Sequence, residues 1–296
     1  MPAWNSKQIC WRCYADRSDN SYKDGSGAAN WRHNRKPWHV FLQEIKDSGL
    51  NLSPLCSAPG FEVFMIVLDW LHIVDLGIAQ DLIGSLFAEY IRDGPATKKD
   101  NLKELWGRLL TFYREMKVPC RLDNLTEEMF QRSGKAPKLH AKGGETRQLI
   151  PFAALLASEM AARHQTPYWI TIGAVFDLLL SCCKHISSRP FVPEALADCS
   201  RKLCILWSSL ENKAVAEGKL LWVKKPKVHL FQELCEFQVK EFGTPENFWT
   251  YRDESWCGHM SSAAKRRGGQ KHASTVPERL LNRFRAMQKE GQEIAL

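Results

Sequence analysis

Phe61-Glu-Val-Phe-Met-Ile-Val-Leu68, followed by Asp69-Trp-Leu-His72-Ile-Val-Asp75-Leu-Gly-Ile78, is the stretch on which the fold turns. Eight residues dominated by β-branched and aromatic side chains, entered from Pro59-Gly60, predict a largely buried strand over 61–68. From Leu71 the spacing changes: Leu76, Ala79, Ile83, Leu86, Phe87 and Tyr90 recur every three or four residues until Gly94-Pro95, which predicts a helix. An acid, Asp69, stands at the junction.

Working outward, the chain to about residue 242 is expected to be helical nearly throughout, over Leu102–Met116, Glu145–Arg163, Pro167–His185, Pro193–Glu217 and Val228–Phe242. The fourth of these carries its apolar stripe at Leu196, Cys199, Leu203, Leu206 and Leu210 before Gly218 stops it. Thr244-Pro245-Glu246 signals a new helix start, with a helix through Glu254 to Arg267 and a last basic one opening at Ser274. Upstream, residues 1–60 are polar and lack a sustained period. With 296 residues, 44% apolar, 14 Phe and 11 Trp, the chain has ample material for a core. Its 41 Lys and Arg against 33 Asp and Glu give a formal charge of +8, compatible with a polyanionic partner. Ten cysteines on a long chain whose first nine residues lack an apolar export signal read as reduced thiols in an intracellular protein. The apolar stretch Tyr168–Cys183 looks too short for a membrane span and Phe61–Ile78 carries four ionisable residues, so no membrane partner is expected.

The Asp69-Trp-Leu-His72 block with its following Leu76-Gly-Ile78 resembles the region around the second catalytic acid of the CACTA, Mirage and Chapaev group of DDE transposases. Pro226-Lys-Val-His229-Leu-Phe-Gln-Glu233-Leu234 and Phe248-Trp-Thr-Tyr251-Arg-Asp253-Glu254 are similar to that family's approach to the third acid, and Lys142-Gly-Gly-Glu145-Thr-Arg147 to a segment at the start of its helical insertion. The resemblance implies an α/β protein dominated by helix, with a partial RNase H-like core interrupted by a large all-α insertion. Residues 61–94 and 244–296 would form the core, 95–243 the insertion, and 1–60 an arm. On that resemblance Asp69 and Glu254 are the catalytic acids, with His72, Asp253 and His229 as supporting groups. Carboxylates of this kind hold two Mg²⁺ or Mn²⁺ ions for DNA strand cleavage and transfer. The first acid is missing: Asp16, Asp19, Asp24 and Asp47 all lie in polar, turn-like sequence, so the expected triad is incomplete. A helix cap is the other reading of Asp69 and of Asp75.

Cys10-Trp-Arg-Cys13, His33 and His39 give the order C-x2-C-x19-H-x5-H, whose ligand types and end spacings suit a structural tetrahedral Zn²⁺. Lys265, Arg266, Arg267, Lys271, Arg279 and Arg283 make the C-terminus basic and are expected to follow DNA phosphates. The expected partner is therefore DNA in the nucleus, with a protein partner or self-association as a further reading. Two other readings of the whole chain stay open: a non-catalytic DNA- or protein-binding remnant, and a helical interaction protein unrelated to transposases.

Overall fold

A computed structural model describes residues 7–266, apart from the side chains of 259, 260 and 263–266, together with Glu278, Leu281, Asn282 and Arg285. The chain divides into two units, Met1–Phe248 and Trp249–Leu296. In the first, short helices α1 (Asn30–His33) and α2 (Trp38–Asp47) precede a wide, π-type helical segment, Leu71–Ile78, that runs into α3 (Ala79–Asp93). Then come α4 (Lys98–Glu115), α5 (Gly143–His164), α6 (Pro167–Ile186), α7 (Pro193–Ala216), α8 (Lys227–Glu233), a second wide turn over Leu234–Gln238, and α9 (Val239–Phe242). The second unit's described part is α10 (Tyr251–Arg266).

The helix boundaries follow local chemistry. Thr97 caps α4 by accepting the Asp100 N–H at 3.3 Å, and Thr166 caps α6 by accepting the Trp169 N–H at 3.3 Å, with Pro167 in the first turn. Glu145 reaches back to the Lys142 N–H at 2.8 Å and closes the start of α5. Gln165, at φ 52°, turns the chain between α5 and α6. The packed stripes are Leu149, Phe152, Leu156 and Met160 on α5, Ile172, Phe176 and Leu179 on α6, and Leu203, Trp207 and Leu210 on α7, all buried. Phe87 of α3 joins them, with its ring centroid 6.4 Å from that of Phe152.

The expected α/β fold with an RNase H-like core is corrected: the described residues form a helical protein with no strand or sheet, and with two isolated antiparallel bridge pairs, Gln8 with Asp16 and Cys13 with Arg35. Residues 61–68 do not form a strand because no second strand lies beside them to complete a ladder. Instead they turn once over Val63–Met65 and insert side chains singly. Phe61 packs edge-on against Trp38, 5.9 Å between centroids, and Phe64 faces Phe242 at 6.5 Å. Met65 and Val67 remain 41% and 39% exposed. The Gln238 side-chain amide takes the place of a neighbouring strand, accepting the Leu68 N–H at 2.6 Å and donating to its carbonyl at 2.9 Å. An apolar run of this length cannot by itself distinguish strand from a coil wedged among helices.

Among the described residues, two helices, Leu71–Asp93 and Pro167–Ile186, are long and apolar enough to cross a membrane by length and composition. The most apolar windows of the two are 89% and 44% buried inside the fold. The second is longer than the 168–183 stretch that its composition suggested.

Candidate metal centre

The N-terminal segment is organised by what it meets on α8 and the wide turn after it. Ile9, Cys10, Cys13, Ala15, Tyr22, Ala29 and Trp31 form a small buried cluster against Leu230 and Phe237. Around it, basic side chains of the segment pair with acids spaced along 233–241. Arg35 binds Glu233 through both nitrogens, at 2.5 and 2.9 Å. Arg32 pairs with Glu236, which also receives Arg201 at 2.9 Å. Arg12 reaches Glu241 at 3.1 Å. A forked guanidinium on a carboxylate fixes direction as well as distance.

At the centre of this seam, one donor atom from each of Cys10, Cys13, His229 and Glu233 lies within 4.8 Å of the other three, and all four residues are buried. Cys13 Sγ is 3.3 Å from His229 Nε2, and His229 Nε2 is 3.9 Å from Glu233 Oε1. Tetrahedral zinc with bonds of roughly 2.0–2.3 Å separates its ligand atoms by roughly 3.3–3.8 Å, so the constellation is close to the size required. Cys10 and Cys13 come from the tight loop whose Arg12 N–H bonds Cys10 Sγ at 3.3 Å. His229 and Glu233 are four apart on α8 and therefore share a face. Trp31 stands at right angles to the imidazole with centroids 4.5 Å apart. An aromatic wall thus holds the ring, where a metal-bound histidine more commonly has a hydrogen-bonded carboxylate or carbonyl behind it.

The electrostatics of the pair are asymmetric. Burial alone would push the Cys10 thiol up, but hydrogen bonds with Cys13 and His229, the His229 charge and the Arg12 N–H outweigh it and hold Cys10 well below the usual thiol range. Cys13 is pushed up by its hydrogen bond to Cys10, by burial, and by the negative charge of Cys10 and Glu233. The two shifts run in opposite directions, Cys10 toward thiolate and Cys13 toward thiol. A divalent cation would ionise both, since a coordinating thiol is deprotonated outright. Two thiolates, an imidazole and a carboxylate suit Zn²⁺, and four protein ligands leave no open position for substrate.

The sequence-predicted residues fall as follows. Cys10 and Cys13 are brought together, but the expected His33 and His39 do not join them. Both are exposed, and His33 Nε2 lies 3.2 Å from the Gly27 carbonyl. The other two donor groups of the constellation are His229, expected as a catalytic support, and Glu233, not singled out. The signal for both is the His-x3-Glu spacing on one helical face, the same i, i+4 offset that places two ligands together in helical zinc motifs. What the spacing could not supply is the partner loop, more than two hundred residues upstream.

Asp69 is partly buried and starts the Leu71–Ile78 segment: its Oδ2 accepts the His72 N–H at 2.9 Å and lies 2.6 Å from His72 Nδ1. This is a helix-capping geometry. Asp75, fully buried, lies 3.8 Å from Arg147 Nη1; burial pushes its carboxyl up to about 8, Arg147 opposing and Asp69 adding to the shift. Asp253 and Glu254 are exposed in the first turn of α10, where acids complement the helix dipole. Of the basic residues expected to meet DNA, Arg267, Lys271, Arg279 and Arg283 lie outside the described residues, as do the side chains of Lys265 and Arg266.

The class defined by fold and site is therefore a protein whose described residues are helical, with a closed constellation of two cysteines, one histidine and one glutamate. The chain matches no protein-family model, no curated protein and no solved structure.

Proposed function

We propose that this chain is a zinc-clasped helical module of transposase-like descent that binds DNA without cutting it. The reading is carried by the buried Cys10, Cys13, His229 and Glu233 constellation, which has the donor set of a structural zinc site rather than of a two-metal nuclease. In that role Cys10 and Cys13 hold the N-terminal segment, His229 and Glu233 hold α8, and Arg35 balances the surplus negative charge at Glu233. The bound ion supplies rigidity and no chemistry. Descent is supported by the motifs around Asp69 and Glu254, and DNA as partner by the net charge of +8. Strand transfer would need convergent carboxylates on a rigid frame. Asp69 is engaged as a helix cap, and the sequence offers no first acid for the triad.

The test uses the full chain. Metal analysis is expected to give one zinc per chain, lost in Cys13→Ser and in His229→Ala. Binding to duplex DNA is expected to weaken steeply with salt, as counterion release requires, and no plasmid nicking is expected with Mg²⁺ or Mn²⁺. Nicking that disappears in Asp69→Asn would overturn the non-catalytic reading, and salt-independent or absent DNA binding would overturn the choice of partner.

A further inference from the structure

Away from the metal centre, a cavity of about 340 Å³ opens where the end of α3, the start of α4, the turn over 127–135 and the chain leaving α7 meet. Five cations line it: Arg92, Lys98, Arg132, Lys135 and Lys219, with Glu127 the one carboxylate among the lining residues. Arg92 is paired with the buried Glu89, and Lys219 with Glu217. Lys98, Arg132 and Lys135 have no ion pair among the described residues. Three exposed cations without acidic partners therefore stand around one concave place, where a single anion could meet all of them.

The rest of the wall is mixed, with Gln131 and Ser133 beside apolar residues. Ile91, Phe130 and Leu221 are buried and close the floor, while Leu220 stands 53% exposed at the edge. The volume lies at the lower end of the range for small-ligand sites, roughly 300–1,000 Å³. A duplex presents a long convex row of phosphates and is met by cations strung along a surface. A half-enclosed pocket with one apolar edge instead fits a compact molecule, anionic at one end and apolar at the other.

We infer that this cavity binds a small diphosphate ester, of which a nucleoside diphosphate is the simplest chemical class, with its phosphates on Lys98, Arg132 and Lys135 and its base against Leu220. The site is independent of the zinc reading, since none of the metal ligands lines it.

The experiment is titration calorimetry of the full-length, metal-loaded chain with ADP, pyrophosphate, adenosine and a 20-base-pair duplex. ADP is expected to bind, and pyrophosphate and adenosine to bind more weakly. Lys98→Glu, Arg132→Glu and Lys135→Glu should each weaken ADP by about tenfold or more, the scale of losing one charge-assisted hydrogen bond. Leu220→Ser should weaken ADP while leaving pyrophosphate unchanged. Lys202→Glu, an exposed lysine of α7 paired with Asp198, should leave ADP unchanged. No ADP binding, ADP binding indifferent to the three reversals, or an equal loss in Lys202→Glu would each overturn the inference. So would reversals that weaken the duplex while ADP fails to bind, which would assign these cations to nucleic-acid phosphates.

Discussion

The α5–α7 bundle and the segment over residues 7–69 reach their structures by opposite routes. In the bundle, burial is periodic and local: each helix carries its own apolar stripe and its own start and stop, and the three neighbours in sequence are neighbours in space. Helix formation and core packing reinforce each other there. In residues 7–69 regular structure is short, and order comes from distant partners, including Arg32 with Glu236, Arg35 with Glu233, Gln238 with Leu68 and the four metal donors. Buried ion pairs of this kind fix geometry more reliably than they add stability, because desolvation offsets much of the attraction. On the zinc proposal, the segment depends on the metal in a way the bundle does not.

The largest effect should come from breaking that dependence. Cys13→Ala, or chelation of the proposed zinc, should cost the segment on the order of 5 kcal/mol or more of local stability, given that structural zinc binding is folding free energy. Hydrogen exchange should then show residues 8–36 losing protection while α5–α7 keep theirs. Loss of protection in all regions together would show that the two regions are not separable.

Trp207→Ala is the reciprocal test. Trp207 is fully buried and its indole donates to the Trp222 carbonyl at 2.7 Å. Removing it should cost about 3–5 kcal/mol. Denaturant unfolding should show a lower midpoint, with the N-terminal segment lost along with the bundle because α8 has no scaffold left. A drop of under about 1 kcal/mol would mean the cavity collapses without consequence.

What was legible in the sequence divides along the same line. The helices over 102–242 were readable because periodicity and the stop at Gly218 are local signals. Even there the stripe on α7 is rotated, with Ser200, Cys204 and Trp207 facing inward where the spacing points to Cys199 and Leu206. The strand expected over 61–68 is absent because composition reports burial propensity and not the presence of a pairing neighbour. Half of the four-donor constellation was readable as Cys-x2-Cys. Its other half was hidden because the local spacing rule selects nearby histidines, while the fold selects His229 and Glu233 by long-range packing.

A smaller effect separates a functional acid from a structural burden. The Asp75 carboxyl ordinarily titrates at 3.8 and in the fold is pushed up to about 8 by burial. Between those values the folded protein holds a proton that the unfolded chain releases. This group's contribution is thus full below about pH 4 and is lost as pH rises toward 8. Asp75→Asn should remove that loss, making the variant more stable than the parent near pH 9 by about 1–3 kcal/mol, with the difference shrinking toward pH 5. Urea unfolding across that range measures it, and parallel pH slopes in the two proteins would rule the account out.

The smallest effect bears on the residue that ends the N-terminal segment. If Asp69 serves as the cap of the Leu71–Ile78 segment, Asp69→Ala should cost about 1 kcal/mol, while Asp69→Asn and Asp69→Ser, which keep an acceptor for the His72 N–H, should cost a few tenths. A carboxylate needed for its charge behaves differently. Asn would then be as damaging as Ala, because it retains the hydrogen bond and loses the charge. The ranking of these three variants in thermal unfolding therefore distinguishes an acid that begins a helix from one that does something more. The capping geometry at 2.9 Å predicts the order Asn and Ser near the parent, Ala below both.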